Sequence, residues 1–405
     1  MTITFDSVLN SDDFYQNPHA AFHYLRQHAP VYWSDGWGAW VLTRYDDVMQ
    51  ILRRPELFSS AGRVTYLLQQ LPEDVRAQVQ HLERHFAIGL AHSDPPDHTR
   101  LRGLLNKVFT PRMGEMWRPR IHAVTQQLID RAQVSGEVDI IRDIAYPLPA
   151  TIIAEMIGAA PEDIPLFRDW AADINNLFAL GGRISAAAAE RAQNSLAVMR
   201  EYIIGLAQAR RRQPAKDIIG RLVAAEVEGE QLTINELVST CVTLFVAGHE
   251  TTTNLIGNGM YLLLRHPQQL HLLKDQPSLI ESAIEEILRC EPSVPRTWRI
   301  VRESTVLGDQ HIPQGAMVFP ILSAANRDPA YFNDPDRFDI QRSSNKHLAF
   351  GYGIHFCLGA PLARVEGAIA INILLDQLPG IQMADEPIWH RDIAIRSLRS
   401  LRVTL

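Results

Sequence analysis

Apolar residues recur three and four positions apart across most of residues 97–290, most regularly through 121–131, 150–157, 186–209 and 218–227. That spacing puts the apolar side chains of each segment on one face, so each predicts an amphipathic helix. Upstream, Val31-Tyr-Trp and Ala39-Trp-Val-Leu-Thr-Arg flank Ser34-Asp-Gly-Trp-Gly and predict a β-hairpin. Past residue 290 prolines become frequent and short β-type runs appear, such as Thr305-Val-Leu-Gly-Asp-Gln-His-Ile-Pro. The pattern predicts a mainly α chain with a minor β portion. The helix-rich body covers about 97–290, and the β-richer portions lie near 30–45 and 293–405. No linker-like tract or repeat divides the chain, so residues 1–405 read as one domain.

One segment predicts a helix of unusual length. It opens at Leu232-Thr-Ile-Asn-Glu, where Thr233 and Glu236 have capping-box spacing, and runs to Arg265, with Pro267 just beyond. At about 1.5 Å per residue it would span roughly 50 Å, enough to cross a domain. It is apolar on most sides, so burial is expected.

Composition narrows the class. The net charge is −7 and the pI about 6.1. Nucleic-acid-binding chains usually carry a basic excess, so nucleic acid is not an expected partner. The N-terminus lacks the basic and apolar regions of a signal peptide, and no apolar run approaches the roughly 18 residues of a membrane span. A cytoplasmic protein without membrane attachment is expected. The three cysteines, Cys241, Cys290 and Cys357, are too few and too scattered for a disulfide framework.

The chemistry gathers around one of them. In Phe350-Gly-Tyr-Gly-Ile-His-Phe-Cys357-Leu-Gly359, glycines allow backbone turns that aim peptide N–H groups at a sulfur. The segment from Ala360-Pro361 to Leu375 then reads as an apolar helix starting just after the cysteine. A helix N-terminus stabilises a thiolate through its unpaired N–H groups and its dipole. A lone cysteine is more often a small buried residue, which is the reading kept for Cys241 and Cys290. The surrounding pattern sets Cys357 apart.

With this loop the chain closely resembles the cytochrome P450 family along essentially its whole length. The resemblance implies haem b buried between the long central helix and the cysteine loop, with Cys357 as the iron ligand. Phe350, Gly351 and His355 belong to that loop. It implies propionate contacts from His98 and Arg102, one turn apart in Asp94-Pro-Pro-Asp-His-Thr-Arg-Leu-Arg, and from Arg299 and His355. Arg100 and Arg296 read as solvated or supporting. In Ala247-Gly-His-Glu-Thr-Thr, Gly248 removes a side chain where a ligand approaches. By the resemblance Thr251 acts on iron-bound oxygen and Glu250 helps deliver protons; His249 receives no role. Glu286 and Arg289 are expected to join Arg337 of Pro335-Asp-Arg-Phe in a structural triad behind the cysteine loop.

The implied activity is insertion of one oxygen atom from O2 into an apolar small organic substrate. The chain has no nucleotide fingerprint and no iron–sulfur cysteine cluster, so electrons come from a separate partner, expected to be a ferredoxin with its reductase. Lys346, Arg112 and Arg364 are candidates for the docking face. The pocket walls are expected to include Ala247, Gly248, Val294, Pro295, Thr297 and Leu398. Residues 63–91 and 167–188, with Gly181 and Gly182, are expected to roof the pocket. The chain is expected to be monomeric. Two rival readings share this fold: a peroxide-driven peroxygenase, which the Glu250–Thr251 pair disfavours, and a non-catalytic haem protein.

Overall fold

A computed structural model of the chain describes residues 5–9, 11–110, 112–135, 137–178, 184–225 and 231–404. The helices that matter for the site are α1 (Asp97–Val108), α2 (Met113–Ser135), α3 (Pro147–Ile157), α4 (Ile164–Asn176), α5 (Ala186–Arg212), α6 (Ile234–Arg265), α7 (Ile280–Cys290) and α8 (Ala360–Gln377). Their ends follow local rules. Ser185 accepts from the Ala188 N–H at the start of α5, and Gly158 closes α3 with a φ of +97°.

Helix α6 is the predicted long helix. Both halves of its capping box form. The Thr233 hydroxyl accepts from the Glu236 N–H (3.2 Å), and the Glu236 carboxylate accepts from the Thr233 N–H (2.8 Å). It packs against α3, α4, α5, α7 and α8. The approach to α7 and α8 is close. A Cβ on Gly259 would meet Ile371 at 2.9 Å and Ile287 at 3.0 Å, and one on Gly367 would meet Leu255 at 3.0 Å. Glycine at these crossings fixes α8, and so the cysteine loop that leads into it, relative to the central helix.

The predicted hairpin is β1 (Val31–Ser34) with β2 (Ala39–Leu42), in register Val31 to Leu42. With β3 (Phe58–Ser59), β4 (Arg299–Val301) and β5 (Met317–Pro320) it builds a sheet of order β1-β2-β5-β4-β3, in which β2 and β5 run parallel. The Thr305 run forms a separate two-stranded hairpin, Thr305–Leu307 with Gln310–Ile312. One apolar core joins the helices, and two smaller ones flank the sheet. Among the described residues no helix is long and apolar enough to cross a membrane.

Burial along α6 is broken most strongly near its middle. Ala247 is exposed, and Gly248, Glu250 and Thr251 are partly exposed, inside a helix surrounded by others. An exposed side chain in the middle of a core helix marks an internal opening.

Candidate active site

The cysteine loop is shaped by its glycines. Gly351 and Gly353 have φ of +70° and +73°, and a Cβ on Gly353 would lie 2.7 Å from the Leu52 carbonyl oxygen. The Cys357 N–H donates to the Phe350 carbonyl (3.0 Å), closing the loop on itself. The backbone N–H groups of Gly359 and Ala360, at the start of α8, act on the Cys357 sulfur. Burial pushes this thiol up, while the Gly359 N–H, Arg102 and the Ala360 N–H draw it back. Cys241 and Cys290 are fully buried, and burial drives both thiols far above the ordinary range. Cys357 remains partly exposed.

Beside the loop lie two arginines and two histidines. His98 and Arg102 project one turn apart from α1, and the His98 and His355 ring centroids are 4.3 Å apart. Arg299 opens β4 and is 6% exposed, with Nη1 donating to the Trp298 carbonyl (2.6 Å). The Nε2 atoms of His98 and His355 are buried without a partner. Burial first, then Arg299 and His98, push His355 down to about 3. A buried group of donors with orphaned nitrogens calls for anionic acceptors. The two propionates of a haem would supply them, so the donors present fit that cofactor.

On α6 the Thr251 hydroxyl donates to the Ala247 carbonyl one turn back (2.5 Å), and the Thr251 carbonyl accepts from the Ser293 hydroxyl (2.7 Å). Glu250 accepts from the Asn175 side-chain amide of α4. Burial first, then the charge of Asp392, push the Glu250 carboxyl up to about 7, while the Asn175 amide pulls against them. The group therefore exchanges a proton near neutrality. His249 is buried against Tyr146, with ring centroids 4.4 Å apart.

The support behind the cysteine loop departs from the expected triad. Glu286 and Arg289 are fully buried and pair through two hydrogen bonds of 2.7 and 2.8 Å. The second arginine on Glu286 is Arg342, with Nε 3.2 Å from both carboxylate oxygens, and Asn345 adds a bond of 3.1 Å. Arg337 has an exposed side chain 3.8 Å from Asp339. It joins the cluster through its backbone carbonyl, which accepts from Arg289 and Arg342. The two arginines are five residues apart in an irregular segment, and packing decided which one turns inward. Neighbouring Glu285 holds Arg364 (2.7 Å) and His347 (3.1 Å); these two overcome burial and keep its carboxyl down to about 2. Of the suggested docking cations, Arg364 is thus tied into the loop's support, whereas Arg112 and Lys346 are exposed.

Ala247, Val294, Pro295 and Thr297 keep exposed or partly exposed surface, as pocket walls require. Gly248 is partly exposed as well, whereas Leu398 is buried. A side chain on Gly248 would point at Ile153 of α3, 3.5 Å away in ordinary contact. Leu398 is 3% exposed, sits in the helical core and bridges Trp389, whereas Ala394 and Ile395 of the same segment are partly exposed. Arg100 pairs with Glu236 of the capping box. Arg296, expected to be solvated or supporting, is 4% exposed and so not solvated, with its guanidinium 4.1 Å from the Phe319 ring centroid. Of the expected roof, 63–91 contains the short helices Arg63–Leu68, Glu73–Gln78 and Gln80–Ala87. Gly181 and Gly182 lie outside the described residues.

Known proteins agree with this geometry. The family model described as Cytochrome P450 matches residues 16–379. Cytochrome P450 107B1 of Saccharopolyspora erythraea is 39% identical over 98% of this chain and 97% of its own length. The 6-deoxyerythronolide B hydroxylase of the same organism is 36% identical over 98% of both chains. P450BioI, solved in complex with an acyl carrier protein bearing hexadec-9Z-enoic acid, superposes with a TM-score of 0.90 at 36% identity, covering 98% of this chain and 100% of its own. With the family model matching most of the chain and relatives of this identity covering nearly all of it, the chain belongs to the cytochrome P450 family and is a haem-dependent monooxygenase.

Proposed function

We propose that the chain oxidises an apolar organic substrate, with Cys357 as the haem ligand, His98, Arg102, Arg299 and His355 on the propionates, and Glu250 and Thr251 handling protons on the oxygen side. When bound, the haem supplies the activation of O2, and a thiolate ligand favours cleavage of the O–O bond. The rest falls to this chain's own groups. The loop holds the sulfur in a ring of N–H donors, which favours its anionic form. Arg102 and Arg299 neutralise the carboxylates of the cofactor's edge, and the ring N–H groups of His98 and His355 donate to them. Glu250 holds a proton near neutral pH, and Asn175 orients it. The Thr251 hydroxyl, engaged with the Ala247 carbonyl, is one bond rotation away from donating into the opening. Ala247, Val294, Pro295 and Thr297 offer an apolar or weakly polar wall, and exclusion of water there directs protons through Glu250 and Thr251.

The observation that carries this reading is the polar break at Glu250–Thr251 in an otherwise buried helix. A peroxide-driven enzyme has no use for such a proton route. Electrons are supplied from outside; a small acidic ferredoxin with its reductase suits the exposed Arg112 and Lys346 near the cysteine loop. A monomer in the cytoplasm, folded as one domain over residues 1–405, completes the proposal. Relatives named for polyketide biosynthesis and for 6-deoxyerythronolide B hydroxylation support a bulky apolar substrate class. Turnover with an electron donor and O2, set against turnover with peroxide alone, tests the reaction. The reduced carbon-monoxide complex tests the ligand, since a red-shifted Soret band reports thiolate and a histidine-type spectrum refutes Cys357.

A further inference from the structure

Two arginines with no place in the site described above are buried with unmet hydrogen-bonding capacity. Arg63, at the start of the helix Arg63–Leu68, is 7% exposed, and Arg296, between Pro295 and Thr297, is 4% exposed. Both have a buried Nε and a buried Nη2 without any partner. The Arg63 guanidinium lies against apolar rings, 4.4 Å from the Phe178 centroid and 5.0 Å from that of Trp298. Arg296 lies over Phe319. Ring faces attract a guanidinium but leave its in-plane N–H groups unsatisfied.

The two cations also act on each other. Burial first, then Arg296, push Arg63 well below the ordinary arginine range. The carboxylate that interacts with both is Asp392, whose Oδ1 already accepts from the Ala394 N–H (2.6 Å) and the Ile395 N–H (3.2 Å). Two guanidiniums against one carboxylate leave a surplus positive charge in a dry place, where an uncompensated charge is destabilising. Arg299, His98, Arg102 and His355 form their own electrostatic group, and neither Arg63 nor Arg296 figures among the influences on it. Their guanidiniums pack instead on the rings of Phe178, Trp298 and Phe319, apart from the His98–His355 ring pair.

The position of the surplus charge points to the substrate. The charge of Asp392 also acts on Glu250 of α6. Arg296 and Asp392 also border, together with Phe14, Phe22 and Trp37 of the N-terminal segment, a small cavity of about 30 Å³. Phe178 closes the described part of α4's end, and Val294 and Pro295 continue from Arg296 into the pocket wall.

We infer that Arg63 and Arg296 form an anion-recognition site at the edge of the substrate pocket, and that the substrate is an apolar molecule ending in a free carboxylate. The carboxylate accepts from the unpartnered Nε and Nη2 atoms in the paired geometry that guanidinium groups favour. The apolar remainder runs toward Ala247 and Thr251. The inference rests on the monooxygenase reading and names the substrate class for that site.

The test uses the haem-loaded enzyme. Dodecanoate, dodecan-1-ol and methyl dodecanoate are titrated separately, with the spin-state shift of the haem as readout. The carboxylate is expected to bind at least about tenfold tighter than the alcohol or the ester, as for a buried charge-assisted hydrogen bond. The preference should vanish in the Arg63→Met, Arg296→Met double variant, which keeps the apolar bulk, while alcohol binding changes little. Equal binding of acid and alcohol by the unaltered enzyme, or failure to bind any of the three, overturns the inference. A preference that survives in the double variant also overturns it, as does loss of haem from that variant, which would assign the arginines to the cofactor. The reduced carbon-monoxide spectrum of the same samples reports the thiolate independently, so failure of the substrate inference is separable from failure of the monooxygenase reading.

Discussion

Removing Arg342 should damage the protein, and removing Arg337 should not. Glu286 is fully buried, and its carboxylate receives two bonds from Arg289, one from the Asp339 N–H, one from Asn345, and the Arg342 Nε, which lies 3.2 Å from both of its oxygens. Arg342→Ala removes that charge-assisted contact and the bonds of its terminal nitrogens to the Asn333, Asp334 and Arg337 carbonyls. Arg342 is about one-tenth exposed, and Glu286 stays paired with Arg289. The expected loss is therefore about 2–3 kcal/mol, the scale of hydrogen bonds to charged groups, rather than the larger penalty of a stranded buried ion. At an unfolding entropy of roughly 2.1 cal/mol/K per residue, a chain of this length loses about 1 °C of Tm per kcal/mol, so a drop of about 2–4 °C follows. Arg337→Ala leaves the backbone carbonyl in place and removes only an exposed side chain, so its effect should stay within about 0.5 kcal/mol. Thermal unfolding of the haem-loaded enzyme, followed at the Soret band, measures both. The Arg342 variant should also convert faster from the thiolate to the non-thiolate carbon-monoxide spectrum, because the cluster backs the cysteine loop. If Arg337→Ala destabilises as much as Arg342→Ala, the assignment of the buried partner is wrong.

Glu250 has its carboxyl pushed from the usual range up to about 7, so the folded protein holds a proton there that the unfolded chain has released. This group's contribution to stability should fall as pH rises from about 4.5 to about 7 and stay flat above; Glu250→Gln should remove that part of a stability-versus-pH curve, and a variant curve parallel to the parent's would refute the assigned proton. The same substitution should slow product formation on the order of tenfold to a hundredfold or more, as loss of a positioned acid does, and abolish the fall in rate above about pH 7. Thr251→Ala should leave haem content and the carbon-monoxide spectrum intact but divert electrons to hydrogen peroxide, measured as peroxide formed per electron pair consumed; unchanged coupling removes Thr251 from the mechanism. Charge reversal at Arg112 and Lys346 should slow reduction by a ferredoxin and flatten its salt dependence, whereas reversal at Arg364 should instead weaken the thiolate spectrum, because Arg364 is held by Glu285.

Local chemistry is what the chain wrote openly. The capping box at Thr233 and Glu236, the hairpin from Val31 to Leu42 and the helical stretches formed as their spacing required, since each depends on neighbours within a turn or two. The cysteine loop was legible for the same reason: its glycines, the helix start after Cys357 and the N–H donors on the sulfur all lie within ten residues of sequence. Distant partners were not. Whether Arg337 or Arg342 reaches Glu286 depends on how an irregular segment packs on α7, and both residues satisfy the same local pattern. Asn175 reaches Glu250, and Asp392 acts on it, only because α4 and the C-terminal segment fold over the middle of α6. Leu398 was apolar enough for a pocket wall, yet a bridge to Trp389 turned it into the core. Arg63 and Arg296, 233 positions apart in the sequence, became neighbours through the same closure. The sequence determined the ligand, the helices and the chemistry they can support, because those are set by short-range geometry. Tertiary packing alone decided which charges are buried and left without partners, because burial is a property of the closed surface and not of any segment of it.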